Sequence, residues 1–241
     1  AAIENAPKVG IEITDFGMEH EPECIKKYYE GCATLADMAR KAASMEGVDF
    51  LSFRMEGGDP NGANKSTEEL IGELKEIADA VDLPLVVCGC KNVEKDAELF
   101  SKAAEALNGK NAVILSAKEE NYKTVGAAAG LAYKQIVGAE SAVDINLAKQ
   151  LNVLISQLGV DSKSVVMNVG SAAVGYGFEY VISTMDRVKA AALQQGDANL
   201  QMPIITPVAS EAWGVKEAMA SETDAPEWGS QRSEERRVGK E

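Results

Sequence analysis

Polar side chains recur immediately after short aliphatic runs along this chain: Thr14 and Asp15, then Glu56, Asp59 and Asn61, Asn92, Glu120 and Asn121, Asp144 and Asn146, and finally Asn168. Amides are the recurrent type. An amide supplies donors and an acceptor without net charge, which suits the polar edge of a bulky cofactor. The same residue types also cap helices and close turns. Asp144 and Asn146 precede a predicted helix, so capping and ligand contact are equally open there, whereas Asp59-Pro60-Asn61-Gly62 has turn composition. The stretch Gly170-Ser-Ala-Ala-Val-Gly-Tyr-Gly177 puts several glycines at a predicted helix N-terminus, where backbone N–H groups can approach a ligand or another chain closely. No lysine adjoins it, so phosphate gripping is weakly supported. Close contact with a flat ligand and simple chain reversal both stay open.

Self-sufficient catalytic sets are missing. There is no Gly-x-Ser-x-Gly elbow, no Walker loop and no Asp-x-His-x-x-Gly that would give a corrinoid its lower axial ligand. The single histidine, His20, lies between Glu19 and Glu21 and reads as solvent-exposed, which argues against a histidine metal site. Lys65, Lys91, Lys118 and Lys123 fall in predicted helices or loops, and none stands out as a general base. Cys24, Cys32, Cys88 and Cys90 are spaced unlike any iron–sulfur ligand run. Reduced thiols in a cytoplasmic protein are the simplest reading. A net charge of −14 argues against nucleic acid as a partner, and no apolar run is long enough for a membrane span.

These polar positions need elements to hold them. Short aliphatic runs are predicted as strands at residues 9–14, 48–53, 84–89, 112–115, 135–137, 164–168 and 203–206. Amphipathic stretches are predicted as helices at 31–45, 66–81, 94–107, 122–132, 145–158 and 180–194. The strands are nearly continuous in aliphatic residues, as expected for parallel strands covered on both faces. Alternating strands and helices give a barrel or an open doubly wound sheet, and the lack of Gly-x-Gly-x-x-Gly after the first strand disfavours the latter. A length of 241 residues suits a (β/α)8-type TIM barrel, whose loops after the strands converge on one mouth. Seven strand units are legible, most of them followed by a helix, so the barrel is expected to stop before its eighth unit. Residues 1–231 form that incomplete barrel domain. Residues 232–241 change composition abruptly and read as a non-native tail, an ordinary charged tail being the alternative.

Several segments together resemble a known family: Gly57-Gly-Asp-Pro-Asn-Gly-Ala-Asn64, Pro84-Leu-Val-Val-Cys-Gly-Cys90, Glu119-Glu-Asn-Tyr-Lys123, Asp144-Ile-Asn-Leu-Ala-Lys-Gln-Leu-Asn152, Gly175-Tyr-Gly-Phe-Glu-Tyr180 and Glu211-Ala-Trp-Gly-Val-Lys-Glu217. Each is weak alone. In this order, across residues 8–231, they look like the small (delta) subunit of the corrinoid iron–sulfur protein of the acetyl-CoA decarbonylase/synthase complex. The resemblance implies a barrel that caps a corrinoid (cobamide) carried by a larger subunit, which also holds the iron–sulfur cluster. The methyl group would pass from a methylated pterin or folate, through a pterin/folate methyltransferase, to acetyl-CoA synthase. The chain would then be part of a methyl-transfer complex rather than a catalyst alone. Placed by barrel geometry, Asn92, Asn121, Asn146, Asn168 and the backbone of Gly175, Tyr176 and Gly177 are the expected corrinoid contacts. An alternative is a pterin-binding barrel methyltransferase that methylates a corrinoid protein directly, with Asp59, Asp144, Asn146 and Asn168 around the pterin.

Overall fold

The computed structural model describes residues 5–228; the tail assigned to residues 232–241 lies outside them. Seven strands pair in parallel and in chain order: β1 (Gly10–Thr14), β2 (Phe50–Arg54), β3 (Leu85–Cys88), β4 (Val113–Ala117), β5 (Ile136–Glu140), β6 (Val165–Asn168) and β7 (Ile204–Ile205). The connections between strands run through α1 (Glu23–Tyr28), α2 (Leu35–Ala43), α3 (Thr67–Ala80), α4 (Val93–Ala106), α5 (Tyr122–Val125), α6 (Ile145–Gln157) and α7 (Phe178–Gln194). After β7 come α8 (Val208–Trp213) and α9 (Lys216–Met219). Helices α2, α3, α4 and α6 start on side-chain caps that satisfy otherwise unpaired N–H groups, whereas α7 starts from Gly177 without one. Thr34 and Asp37 form a reciprocal capping box on α2, Ser66 accepts from Glu69 N, and Asp144 accepts from Asn146 N and Leu147 N.

Side chains alternate across each strand, and the two faces have different company. Outward residues such as Ile13, Leu51, Phe53, Val87, Ile114, Val137 and Met167 join Leu70, Leu74, Leu99, Phe100, Leu151 and Ile155 from the helices in the main core. Inward residues Val86, Cys88 and Leu115 form a second, smaller cluster, against which Phe50, Val113 and Ile205 pack. Ile205 on β7 shares a cluster with residues of β2 and β3, although several strands separate them in the sheet order. The sheet therefore curls like part of a barrel, with β1 and β7 as its edges.

The structure shifts several predicted boundaries. The helix expected at 31–45 starts at Leu35 because Thr34 caps it, and α1 is an additional helix before it. The strand expected at 135–137 begins one residue later and runs on to Glu140. The stretch at 122–132 is one α-turn followed by a π-helix at Gly126–Ala132. Close packing explains its small residues, since a Cβ on Gly130 would lie 2.7 Å from Val160.

Gln135 is fully buried before β5 and bonds three backbone groups: its Oε1 accepts from Ala112 N at 2.6 Å, and its Nε2 donates to Leu107 O at 2.9 Å and Tyr133 O at 3.1 Å. One amide thus ties the end of α4 to the starts of β4 and β5. Gln135→Leu keeps the volume but strands the Ala112 N–H and removes a donor from the Leu107 and Tyr133 carbonyls, the former keeping Lys110 N. We expect it to cost about 2–4 kcal/mol in urea unfolding, with little change in the slope of the transition.

Candidate functional site

Parallel order brings every strand's C-terminal end to one side. A cavity of ≈ 310 Å³ opens there, with Arg54, Cys88, Ser116, Lys118, Glu140, Asn168 and Ser171 in its wall and Glu211 from α8 at its rim. A larger cavity of ≈ 1190 Å³ lies lower in the curl, between the β1 and β7 edges, lined by Glu12, Phe50, Ser52, Val113, Ile136, Val166 and Ile204. Successive inward residues climb from apolar to polar towards the mouth: Phe50, Ser52 and Arg54 on β2, Ile136, Gly138 and Glu140 on β5, Val166 and Asn168 on β6.

Between the cavities sits a buried ion pair. Arg54 Nε donates to Glu12 Oε1 at 3.0 Å and Nη2 to Oε2 at 2.9 Å, a two-pronged contact between neighbouring strands. Ser52 donates to Glu12 at 3.4 Å and lies within hydrogen-bond distance of Cys88 Sγ, also 3.4 Å. Burial alone would lower the Arg54 pKa, but Cys88 and Glu12 beside it outweigh that and raise it. Burial pushes the Cys88 thiol up to about 11, with Arg54 opposing.

A second polar group forms across β4 to β6. Asn168 Nδ2 donates to Ser116 Oγ at 2.8 Å and contacts Glu140 Oε2 at 3.5 Å, and Lys118 Nζ lies 3.4 Å from Glu140 Oε1. Asn168 Oδ1 accepts from Gly170 N at 3.0 Å, fixing the start of the glycine-rich loop. The facing β5–α6 loop carries two non-glycine residues in the left-handed region, Ala142 (φ 45) and Val143 (φ 62). That conformation is costly for a β-branched residue and is over-determined here by Val143 N donating to Val169 O at 2.8 Å and Ser141 N to Asn168 O at 2.9 Å.

The other expected site residues sit differently. Asn92 caps α4, its Oδ1 accepting from Lys95 N. Asn121 is buried, accepts from Lys118 N at 2.8 Å and donates to Val93 O at 3.3 Å. Asn146 is exposed in the first turn of α6. Gly175 and Gly177 take left-handed conformations before α7 (φ 76 and 108), and Tyr176 between them is 55% exposed. Of these residues, Asn168 alone joins the cavity wall. Asp59 closes its own turn by accepting from Asn61 N, and His20 sits edge-on to Phe16 with a centroid distance of 4.7 Å. Among the described residues, no three His, Cys, Asp or Glu side chains are grouped to hold a metal ion, and no helix is long and apolar enough to cross a membrane.

Lys118, weighed from sequence only as a general base, pairs with Glu140, whereas Glu12, Arg54, Ser116 and Glu140 lie within strands and not in the loops after them. Their signal was alternation within strands, as in Ile11-Glu12-Ile13 and Leu51-Ser52-Phe53-Arg54. Two glycines are required by the carboxylates that brace this end. A Cβ on Gly57 would lie 2.2 Å from Asp15 Oδ2, which accepts from Gly57 N and pairs with Lys65 at 3.0 Å. A Cβ on Gly89 would lie 2.2 Å from Asp96 Oδ1, which accepts from Cys90 N at 2.7 Å.

Residues 1–225 match the family model described as the CO dehydrogenase/acetyl-CoA synthase delta subunit. Three archaeal proteins, each named acetyl-CoA decarbonylase/synthase complex subunit delta, are similar. The one from Methanothermobacter thermautotrophicus is 33% identical over 88% of this chain and 54% of its own length. That from Methanopyrus kandleri is 36% identical over 75% and 45%. That from Methanocaldococcus jannaschii is 31% identical over 93% and 55%. The chain spans about half the length of the curated relatives it matches.

Two outcomes follow from this geometry. Arg54→Met leaves Glu12 charged and buried, and should lower stability to urea by about 3–5 kcal/mol. Adding Glu12→Leu should restore most of the loss, a recovery that double-mutant analysis of the two changes measures directly. Cys24 is exposed and Cys32 partly so, whereas Cys88 and Cys90 are buried, with burial pushing their thiols up to about 11 and about 12. Iodoacetamide at about pH 8 should therefore label Cys24 and Cys32 in the native chain, and Cys88 and Cys90 only after denaturation, as peptide mass spectrometry would reveal.

Proposed function

Because the chain belongs to the CO dehydrogenase/acetyl-CoA synthase delta subunit family, we propose that it is the small subunit of a corrinoid iron–sulfur methyl carrier and forms the protein wall over the corrinoid. Its curled sheet would be the major part of a (β/α)8-type barrel, completed by a strand able to pair with both Gly10–Thr14 and Ile204–Ile205. The partner large subunit would hold the corrinoid and the iron–sulfur cluster. A pterin or folate methyltransferase and acetyl-CoA synthase would dock in turn.

The observation that carries this reading is the composition of the mouth: Asn168, Ser116 and the Lys118–Glu140 pair at the strand ends, beneath a strained β5–α6 loop and a glycine-rich β6–α7 loop. These groups fit the periphery of a corrinoid, which is polar and rich in amides. They do not amount to a catalytic set, since every cation in the wall has an anionic partner. A corrin ring is much larger than a cavity of ≈ 310 Å³, so it would lie across the mouth rather than enter it. The corrinoid, when bound, supplies a cobalt able to take up and release a methyl group. The residues of this chain would orient its edge through Asn168 and Ser116 and exclude water with the β5–α6 and β6–α7 loops.

The pterin-binding alternative has less support. Two carboxylates it would use, Asp59 and Asp144, already accept backbone N–H groups in a turn and a helix cap.

The test is to purify the full-length protein with and without its large-subunit partner and to follow corrinoid retention by visible absorption. Retention in the pair, with no methyl transfer from methylated folate to free cobalamin by the lone chain, is expected. Methyl transfer by the lone chain would favour the pterin-binding alternative instead.

A further inference from the structure

The charges in the mouth cavity constrain what it can bind. Arg54 is engaged from below by Glu12, Lys118 pairs with Glu140 at 3.4 Å, and Lys91 at the rim pairs with Glu211 at 3.3 Å. An anion or a cation entering the cavity would have to compete with one of these pairs and shed its own hydration. A neutral ligand with a strong dipole meets both signs of charge and breaks neither.

Unused hydrogen-bonding capacity points the same way. Ser116 Oγ accepts from Asn168 Nδ2, so its own proton is left to donate outward. Glu12 takes the Nε and Nη2 edge of Arg54, which leaves the Nη1 donors outside that pair. Ser171 contributes to the wall, but its Oγ is buried and closed off from the open space. Glu140 supplies the acceptor, with Asn168 3.5 Å from it.

We propose that this cavity is a binding site for a neutral primary carboxamide. The carbonyl oxygen of such a group accepts from Ser116 and the Arg54–Lys118 side of the wall, and its NH2 donates to Glu140. A volume of ≈ 310 Å³ is at the small end for ligand pockets and suits a short amide-bearing arm. The natural source of that arm rests on the function proposed above: the carboxamide side arms of a corrin ring lying across the mouth. The cavity chemistry itself does not depend on that source.

The experiment titrates the full chain with propionamide, propionate, propylammonium and β-alanine, following the backbone amide signals of Ser116, Gly170 and Ser171 by NMR. Saturable shifts with propionamide are expected, with the two charged probes and zwitterionic β-alanine weaker by about tenfold. Ser116→Ala and Lys118→Gln should each weaken propionamide by about fivefold to tenfold, while Lys102→Gln, on the outer face of α4, leaves it unchanged. Thermal melts of the two variants establish that the fold is retained. Absence of saturable shifts at these residues overturns the proposal, as does equal or tighter binding of propionate or β-alanine. Corrinoid retention by the two-subunit complex is read separately. Amide binding without corrinoid retention would sink the functional reading alone, and retention without amide binding would sink this one alone.

Discussion

Seven parallel strands in chain order impose the constraint on which the rest of the molecule depends. Parallel order sends every strand's C-terminal end to the same side, and the two-residue period sends alternate side chains inward. Residues far apart in sequence, Glu12 with Arg54 and Ser116 with Asn168, become neighbours only through the β1–β2 pairing and the β4–β6 run of the sheet. The curl that lets Ile205 pack on the Phe50 and Val86 cluster turns that inner face into a lined interior with a mouth.

The interior divides at the Glu12–Arg54 pair. Below it the lining is chiefly apolar, and above it charged side chains, serines and the Asn168 amide take over. A buried pair of this kind is a poor source of net stability, because desolvation offsets most of the attraction. Its value is geometric. It fixes the guanidinium in the cavity floor and leaves no uncompensated charge facing the mouth, while burial, against the pull of Arg54, raises the Cys88 thiol beside it. The Asp15–Lys65 and Asp96–Cys90 contacts do similar work around the rim, each carboxylate occupying the space that a glycine leaves open.

Much of the architecture was legible in the sequence. Aliphatic runs marked all seven strands, and caps such as Ser66 and Asp144 marked where helices begin. The place of Asn168 in the cavity wall was legible because it ends a strand and belongs to the inward set. Asn92 and Asn121 look identical to it in sequence, and all three oxygens accept a backbone N–H, but only Asn168 also lines the cavity, a difference that local geometry decides. Glu12, Arg54 and Glu140 escaped notice for the opposite reason. Strands that look continuously aliphatic draw attention away from the one charged residue on their inner face, and the partner that makes such a charge tolerable lies on another strand. For Glu140, the strand also runs further than its aliphatic run suggested.

Family membership and geometry meet at the strand-end mouth. On the proposed reading, a mouth of paired charges with Asn168 and Ser116 would leave the reactive chemistry to a group held by another chain. The most direct measurement is a structure of the complex with its large subunit and bound corrinoid. The account predicts the ring lying across the mouth, in contact with the loops around Val143 and Gly170. A ring seated on the helical exterior, or at the N-terminal ends of the strands, would contradict it.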